Sequence, residues 1–467
     1  MEIDGQIRLK DVPEGLLHSL QKQLTVNNPK FQSALRMGFP TYNIPQRIML
    51  YKVENNQLIV PRGLWADIWR IRPGGTVKSN FTQTCEEISF SKSTLEMRDY
   101  QQQALDTVAM SKSPQGVIVM PCGAGKTETA LQLIANLKQP CLWITHTQDL
   151  VQGTYDRAVE RLGLSPPQIG IYSGKRAEIG THMTIATVQT LYRRDLSDMA
   201  HLFGCVIVDE CHRVVNNPET ASMWANVLAQ LPAKYRYGIT ATDMRSDGLT
   251  DTIFHILGDK LAQVSQETLK DKGNVITPTV YPMVTGFTYH PAVDEHPINF
   301  TRLARCLDSD QKRSEDILSN LAKQLHDGHS CLVLATNLSI LESLYNRIKA
   351  LGYPAEFISG KSKAEKRKTA IADMRTKHSR CLFATYALAK EGLDIPVLDR
   401  LFFATPIRNQ TAVQQSIGRI MRPAPGKIDA VIFDYVDKLV PVCKGQFCSR
   451  KKIYNKLNCT IEQEIQL

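Results

Sequence analysis

Gly123, Gly125, Lys126 and Thr127 stand in the segment VIVMPCGAGKTETALQLI, between an apolar run and a helical pattern. The two glycines let the backbone turn tightly, so that successive amide N–H groups, that of Ala124 included, face a polyanion. A helix starting after Lys126 adds the favourable end of its dipole. The Lys126 ammonium suits the β and γ phosphates of a nucleotide, and the Thr127 hydroxyl suits Mg²⁺. A full P-loop has glycine where this chain has Met120, so G-x-G-K-T is present without the first residue of the pattern. Further on, CVIVDECH ends an apolar run in Asp209, Glu210 and His212. At the C-terminal edge of a strand, Asp209 can hold Mg²⁺ through water while Glu210 orients and deprotonates an attacking water. Solvated acids also end strands, and it is the glycine-rich loop upstream that favours the chemical reading.

Such residues need a scaffold of strands that end together. GVIVM (116–120), CLWIT (141–145), CVIVD (205–209), CLVLAT (331–336), CLFAT (381–385) and AVIFDY (430–435) have the length and β-branched content of buried parallel strands. Helical patterns such as TETALQLIANL and LSILESLYNRIKALG lie between them, which predicts an α/β fold. The strands form two series, so two lobes are expected, at 93–290 and 291–440. Residues 1–92 carry Pro, Gly and Asn-Asn between short alternating runs and predict a small β-containing (α+β) accessory domain. A tail at 441–467 completes the division. From Lys438 to Asn458 the chain has six basic residues and no acidic one, which reads equally as a solvated tail or a phosphate-contacting patch. Trp65 and Trp69, four apart, fit the core face of a helix better than a base-stacking platform.

The composition agrees. With 467 residues, 43% of them hydrophobic, the chain can bury more than one core, and its formal charge of +10 points mildly to a polyanionic partner. Eleven cysteines without a C-x-x-C pair read as a reduced protein, not a disulfide scaffold, and Cys443, Cys448 and Cys459 have no usual zinc spacing. No apolar run reaches the ~18 residues of a membrane span, and MEIDGQIRLK lacks the apolar stretch of a signal peptide. The expectation is a soluble cytoplasmic protein of a bacterial cell or a phage-infected host.

From Leu95 to Asp434 the chain resembles the superfamily 2 helicases and translocases. MRDYQQQAL is similar to the adenine-reading Q-type motif, PCGAGKT to motif I, THTQDLVQG to motif Ia, IATVQTL to motif Ib, DECH to motif II and GITAT to motif III. LVLATN is similar to motif IV, ATYALAKEGLDIP to motif V and QQSIGRIMRP to motif VI, in the family's order. The resemblance implies two tandem RecA-like lobes that use ATP and Mg²⁺. Arg98 and Gln101 match the adenine positions, and Gly392 and Asp394 the positions that approach the nucleotide from the second lobe. Arg419 and Arg422 match the arginine fingers; His212, Thr240, Thr242 and Gln415 match coupling positions. Thr145, Gln189 and Thr385 are the implied contacts to polynucleotide phosphates.

After motif III the chain resembles the XPB-like and UvsW-like DNA helicases, with Arg245, Ser246 and Asp247 where those have Arg-Glu-Asp. Arg245 is therefore a further DNA contact by resemblance. The implied activity is 3′–5′ movement of a monomer on forked or branched DNA in recombination, replication or repair, without a membrane partner. A restriction-system motor subunit, an RNA helicase and a nucleotide-gated DNA clamp stay open as alternatives.

Overall fold

The β-branched apolar runs form the central strands of two seven-stranded sheets, each wholly parallel. The computed structural model describes all residues except 37, 72–75, 83–86, 93–94, 122, 215–217, 242–248, 272–274, 292–297, 391–392, 394 and 463–467. The first sheet runs Ile169–Tyr172, Met183–Thr187, Cys141–Thr145, Cys205–Asp209, Tyr235–Thr240, Gln115–Val119, Lys260–Gln263. The second runs Ala355–Ile358, Cys381–Thr385, Cys331–Ala335, Arg400–Phe403, Val431–Val436, Thr279–Val284, Thr460–Ile461. Numbered along the chain within each sheet, both orders read 3-4-2-5-6-1-7. The two lobes share one topology, and helices join most consecutive strands, as parallel connections usually require.

Two expected boundaries change. The chain divides into compact units at Met1–Ser265 and Gln266–Leu467, so the division falls near 265 instead of 290. Thr279–Val284 is the first strand of the second sheet, paired along its length with Val431–Val436. The tail at 441–467 is structured through Glu462: Pro441–Lys456 is a helix and Thr460–Ile461 an edge strand. Arg450 on that helix is buried, its Nε and Nη2 2.9 Å from the two carboxylate oxygens of Asp434, which also accepts from the Tyr454 hydroxyl at 2.6 Å. A second buried pair stands nearby in sequence: Arg313 Nε lies 2.8 Å from Asp437 Oδ1, which also accepts from the Thr285 hydroxyl at 2.5 Å.

The first ninety residues form a mixed sheet in the order Lys52–Glu54, Gln57–Pro61, Gln6–Lys10, Glu2–Ile3, Lys78–Ser79, with helices Glu14–Gln23, Pro29–Arg36 and Trp65–Ile71. Alternate residues Ile7 and Leu9, opposite Leu58 and Val60, are buried and join one core with Leu196, Trp224, Leu228 and Ile253 of the first lobe. Two buried arginines close the seam. Arg62 donates to Asp4 O (3.2 Å), Ala233 O (2.6 Å) and Lys234 O (2.9 Å), and its own carbonyl accepts from Gln115 Nε2 (2.8 Å). Arg236 donates to Gly5 O (3.2 Å), Leu228 O (2.7 Å) and Leu231 O (2.9 Å). Backbone approaches closely here: a Cβ on Gly5 would meet the Ala229 carbonyl, and one on Gly63 that of His255. Trp65 packs against the shared core, whereas Trp69, stacked on it at 5.6 Å, is 41% exposed. No described helix is long and apolar enough to cross a membrane.

Candidate active site

The glycine-rich loop follows the strand Gln115–Val119. Positive φ falls at Gly123 (86°) and Gly125 (75°), where a side chain would strain the turn. Met120 is buried, and its N–H donates to Thr240 O at 2.9 Å; it extends the sheet instead of shaping the loop, which is why glycine is dispensable there. Gln101 supports the loop from below. Its Nε2 donates to the carbonyls of Ala124 (3.1 Å) and Gly125 (3.2 Å), and its Oε1 accepts the Arg98 N–H at 2.9 Å. Both ends of the amide thus engage protein, a supporting role beside the adenine contact that resemblance implies. The Arg98 guanidinium donates to the Tyr100 hydroxyl at 2.9 Å.

The helix Lys126–Leu137 opens with Lys126 and Thr127. Lys126 Nζ lies 3.8 Å from Glu210 Oε1, at the end of the strand Cys205–Asp209. Glu210 adopts φ 48°, a left-handed conformation costly for a side chain with a Cβ. That turn brings its Oε2 to 3.2 Å from His212 Nδ1, and the same ring nitrogen lies 2.9 Å from Thr240 Oγ1. One polar chain therefore runs from Lys126 through Glu210 and His212 to Thr240, across three neighbouring strands of the first lobe.

The two adjacent acids diverge in pKa. Burial, then the charge of Glu210, pushes Asp209 up to about 7. Burial also pushes Glu210 upward, but Lys126 and the His212 hydrogen bond outweigh it and hold that carboxyl below the usual carboxylate range. Glu210 is thus the ionised partner, and Asp209, when it ionises, carries a negative charge that Lys126 and the Glu210 N–H, 2.9 Å from its Oδ1, offset only in part. A hydroxyl at Thr127 and such a carboxylate at Asp209 form the oxygen donor set that a hard divalent cation takes.

The implied polynucleotide contacts fare unevenly. Thr145 is fully buried and its hydroxyl donates to Thr147 O at 3.1 Å, so it shapes its loop and presents no group to a strand; the apolar strand that ends there draws it inward. Gln189 Nε2 donates to His146 O at 3.0 Å, tying the motif Ib helix to the motif Ia loop. Thr385 ends its strand half-buried. Thr242, Arg245, Gly392 and Asp394 lie outside the described residues. In the second unit, Arg419 sits in the last turn of the helix Gln410–Ile420 and its Nε donates to Ala389 O at 3.2 Å; Arg422 follows the helix. Gln415 is buried on the same helix, its Oε1 without a hydrogen-bond partner among the described residues.

Sequence reasoning missed Arg62, Gln115, Arg236 and Lys427, whose partners are mainly backbone carbonyls. The one available signal was a charged residue within the otherwise uncharged strand YRYGIT at 235–240.

Comparison with known proteins follows the same lines. A family model described as "Type III restriction enzyme, res subunit" matches residues 94–245, and one described as "Helicase conserved C-terminal domain" matches 313–424, together more than half of the chain. The chain is 24% identical to the putative ATP-dependent RNA helicase L396 of Acanthamoeba polyphaga mimivirus, over 91% of this chain and 79% of that one. It is 26% identical to the DNA 3′-5′ helicase XPB of Mycobacterium tuberculosis over 75% of its own length, and spans 62% of that protein. Among solved structures, S. cerevisiae Dbp5 bound to RNA and ADP BeF3 is similar with a TM-score of 0.57 at 14% identity, over 78% of this chain and 90% of the other.

Proposed function

We propose a specific activity for this chain, which belongs to the superfamily 2 helicases, ATP-hydrolysing enzymes with two RecA-like lobes: ATP-driven movement 3′ to 5′ along DNA, with forked or branched DNA as its substrate. The observation that carries the chemistry is the Lys126–Glu210–His212–Thr240 chain. Lys126 neutralises the β and γ phosphates, and Glu210, held ionised, takes the proton of the attacking water. His212 and Thr240 fix the orientation of Glu210 and connect it to the neighbouring strand. Mg²⁺, held by Thr127 and Asp209, would supply charge neutralisation on the phosphate oxygens. Arg419 and Arg422 are assigned to the charge that develops on the γ phosphate, and Gly392 and Asp394 to the nucleotide. Thr242 and Gln415 are assigned to coupling; Gln189, Thr385 and Arg245 to the polynucleotide.

The DNA reading draws on the XPB-like surroundings of motif III and the 3′-5′ DNA helicase relative. An RNA substrate is the second reading, favoured by the relative named as an RNA helicase that aligns over 91% of the chain. Steady-state ATP hydrolysis decides between them, measured without nucleic acid and with single-stranded, duplex, forked and four-way-junction DNA and with RNA, using Lys126→Ala as the blank. Greatest stimulation by fork or junction supports the proposal. Stimulation by RNA alone replaces it with the second reading.

A further inference from the structure

Three consecutive carbonyls leave the helix Gln410–Ile420, those of Ile420, Met421 and Arg422, and each has a donor. The Ile276 N–H takes Met421 O at 2.8 Å. Lys427 takes the other two, its Nζ 2.5 Å from Ile420 O and 2.7 Å from Arg422 O. The chain returns for this through a turn in which Gly426 has φ 77° and the Lys427 N–H donates to Ala424 O at 3.0 Å. Carbonyls at a helix C-terminus lack intrahelical partners and carry partial negative charge, so an ammonium there both satisfies and orients them. Arg419 is fixed from another side through its Nε bond to Ala389 O.

We infer that Lys427 is a positioning residue for turnover, clamping the helix exit so that Arg419 and Arg422 keep a fixed separation and direction. The inference rests on the reading of those arginines as groups that meet the γ phosphate. Lys427 acts on the backbone of the segment and is given no contact with the nucleotide. The charged and titratable groups facing it are Asp399, Arg422, Arg400 and Asp429, with His329 bonded to Asp399 at 2.9 Å. Burial, with Arg422 and Arg400, pushes the ammonium down to about 8 against the pull of Asp399 and Asp429. The clamp therefore holds its charge below that pH and loses it above.

The test uses the full chain and reads kcat, the KM for ATP and DNA affinity against pH for wild type, Lys427→Met, Lys427→Arg, Arg419→Ala and Arg422→Ala. Lys427→Met should lower kcat about 10-fold, with KM and DNA affinity within about twofold, because misplacement of a transition-state group costs turnover more than binding. Lys427→Arg should restore most of kcat and move the alkaline limb above about pH 9, since a guanidinium stays charged there. Wild-type kcat in Lys427→Met, while both arginine variants lose turnover, overturns the inference. If Lys427→Met melts before it can be measured, an alkaline limb unmoved in folded Lys427→Arg overturns it equally. Normal turnover in both arginine variants removes the motif VI reading first, and the role of Lys427 with it.

Discussion

Glu210 is held by a cation on one oxygen and an imidazole on the other, from a backbone conformation few side chains tolerate. Those constraints serve orientation, so Glu210→Gln should still bind ATP while turnover falls by about 10²–10⁴-fold, the usual worth of a general base. Near-normal hydrolysis in that variant would move the base elsewhere. Asp209 makes a separate prediction about stability. In the unfolded chain it ionises near pH 3.9, whereas in the folded protein it does so at about 7. Between those values the native state holds a proton that the unfolded state has shed, so this residue costs stability as the pH rises through the window. Nucleotide-free Asp209→Asn should therefore melt above wild type at pH 8, and the gain should shrink toward pH 5. Thermal melts at the two pH values suffice, and a gain independent of pH would contradict the assigned shift. These residues were legible because phosphate chemistry confines them to loops at strand ends. Arg62 and Arg236 were not, because an arginine in sequence reads as surface and only the tertiary arrangement supplies the carbonyls that hold it.

Among the elements, the apolar β-branched runs became strands where expected, since a strand buried on both faces has little choice of composition. TVYPMV was missed: Pro282 interrupts the run, and Tyr281 and Val284, on opposite faces, are both exposed, so its partner Val431–Val436 selects it more than its own residues do. The basic run misled in a different way. Cys443, Phe447, Arg450 and Tyr454 are spaced by four, three and four and form the buried stripe of the helix Pro441–Lys456, a helical period hidden because one member is a cation. Removing residues 438–467 would therefore strip a packed element from the lobe and say little about charge. Arg450→Met should cost about 3–5 kcal/mol by leaving the Asp434 carboxylate buried without its partner, measured by denaturant unfolding; a loss under 1 kcal/mol would deny the pair that role. The charge question belongs to Lys438, Lys452 and Lys456, which are exposed. Replacing all three by Gln should reduce the salt dependence of DNA binding if this face meets phosphates, and an unchanged slope would exclude it.

At the scale of the molecule, the amino-terminal sheet and the first lobe share one core, although the sequence suggested a separable domain. The seam grips the beginnings of two strands whose far ends carry the glycine-rich loop and Thr240: Gln115 starts one, and Arg236 stands second in the other. A chain starting at residue 93 would expose apolar surface, lose Arg62 and strip the Gly5 carbonyl from the buried Arg236. It should be recovered mainly as aggregate, while Arg62→Lys should stay soluble with faster hydrogen exchange along the seam. A soluble, fully active truncation would show that the two parts fold apart. The duplicated strand order bears on counting. In the first lobe the residue after the first strand, Met120, bonds to the sixth strand, and the phosphate loop opens just beyond it. In the second lobe Thr285 makes the same bond, to Val436 O at 3.1 Å, but its hydroxyl is then tied to Asp437, which is locked to Arg313. An internal ion pair fills the corner that its twin leaves for a ligand. Calorimetric titration with a non-hydrolysable nucleotide should therefore saturate at a stoichiometry of one per chain.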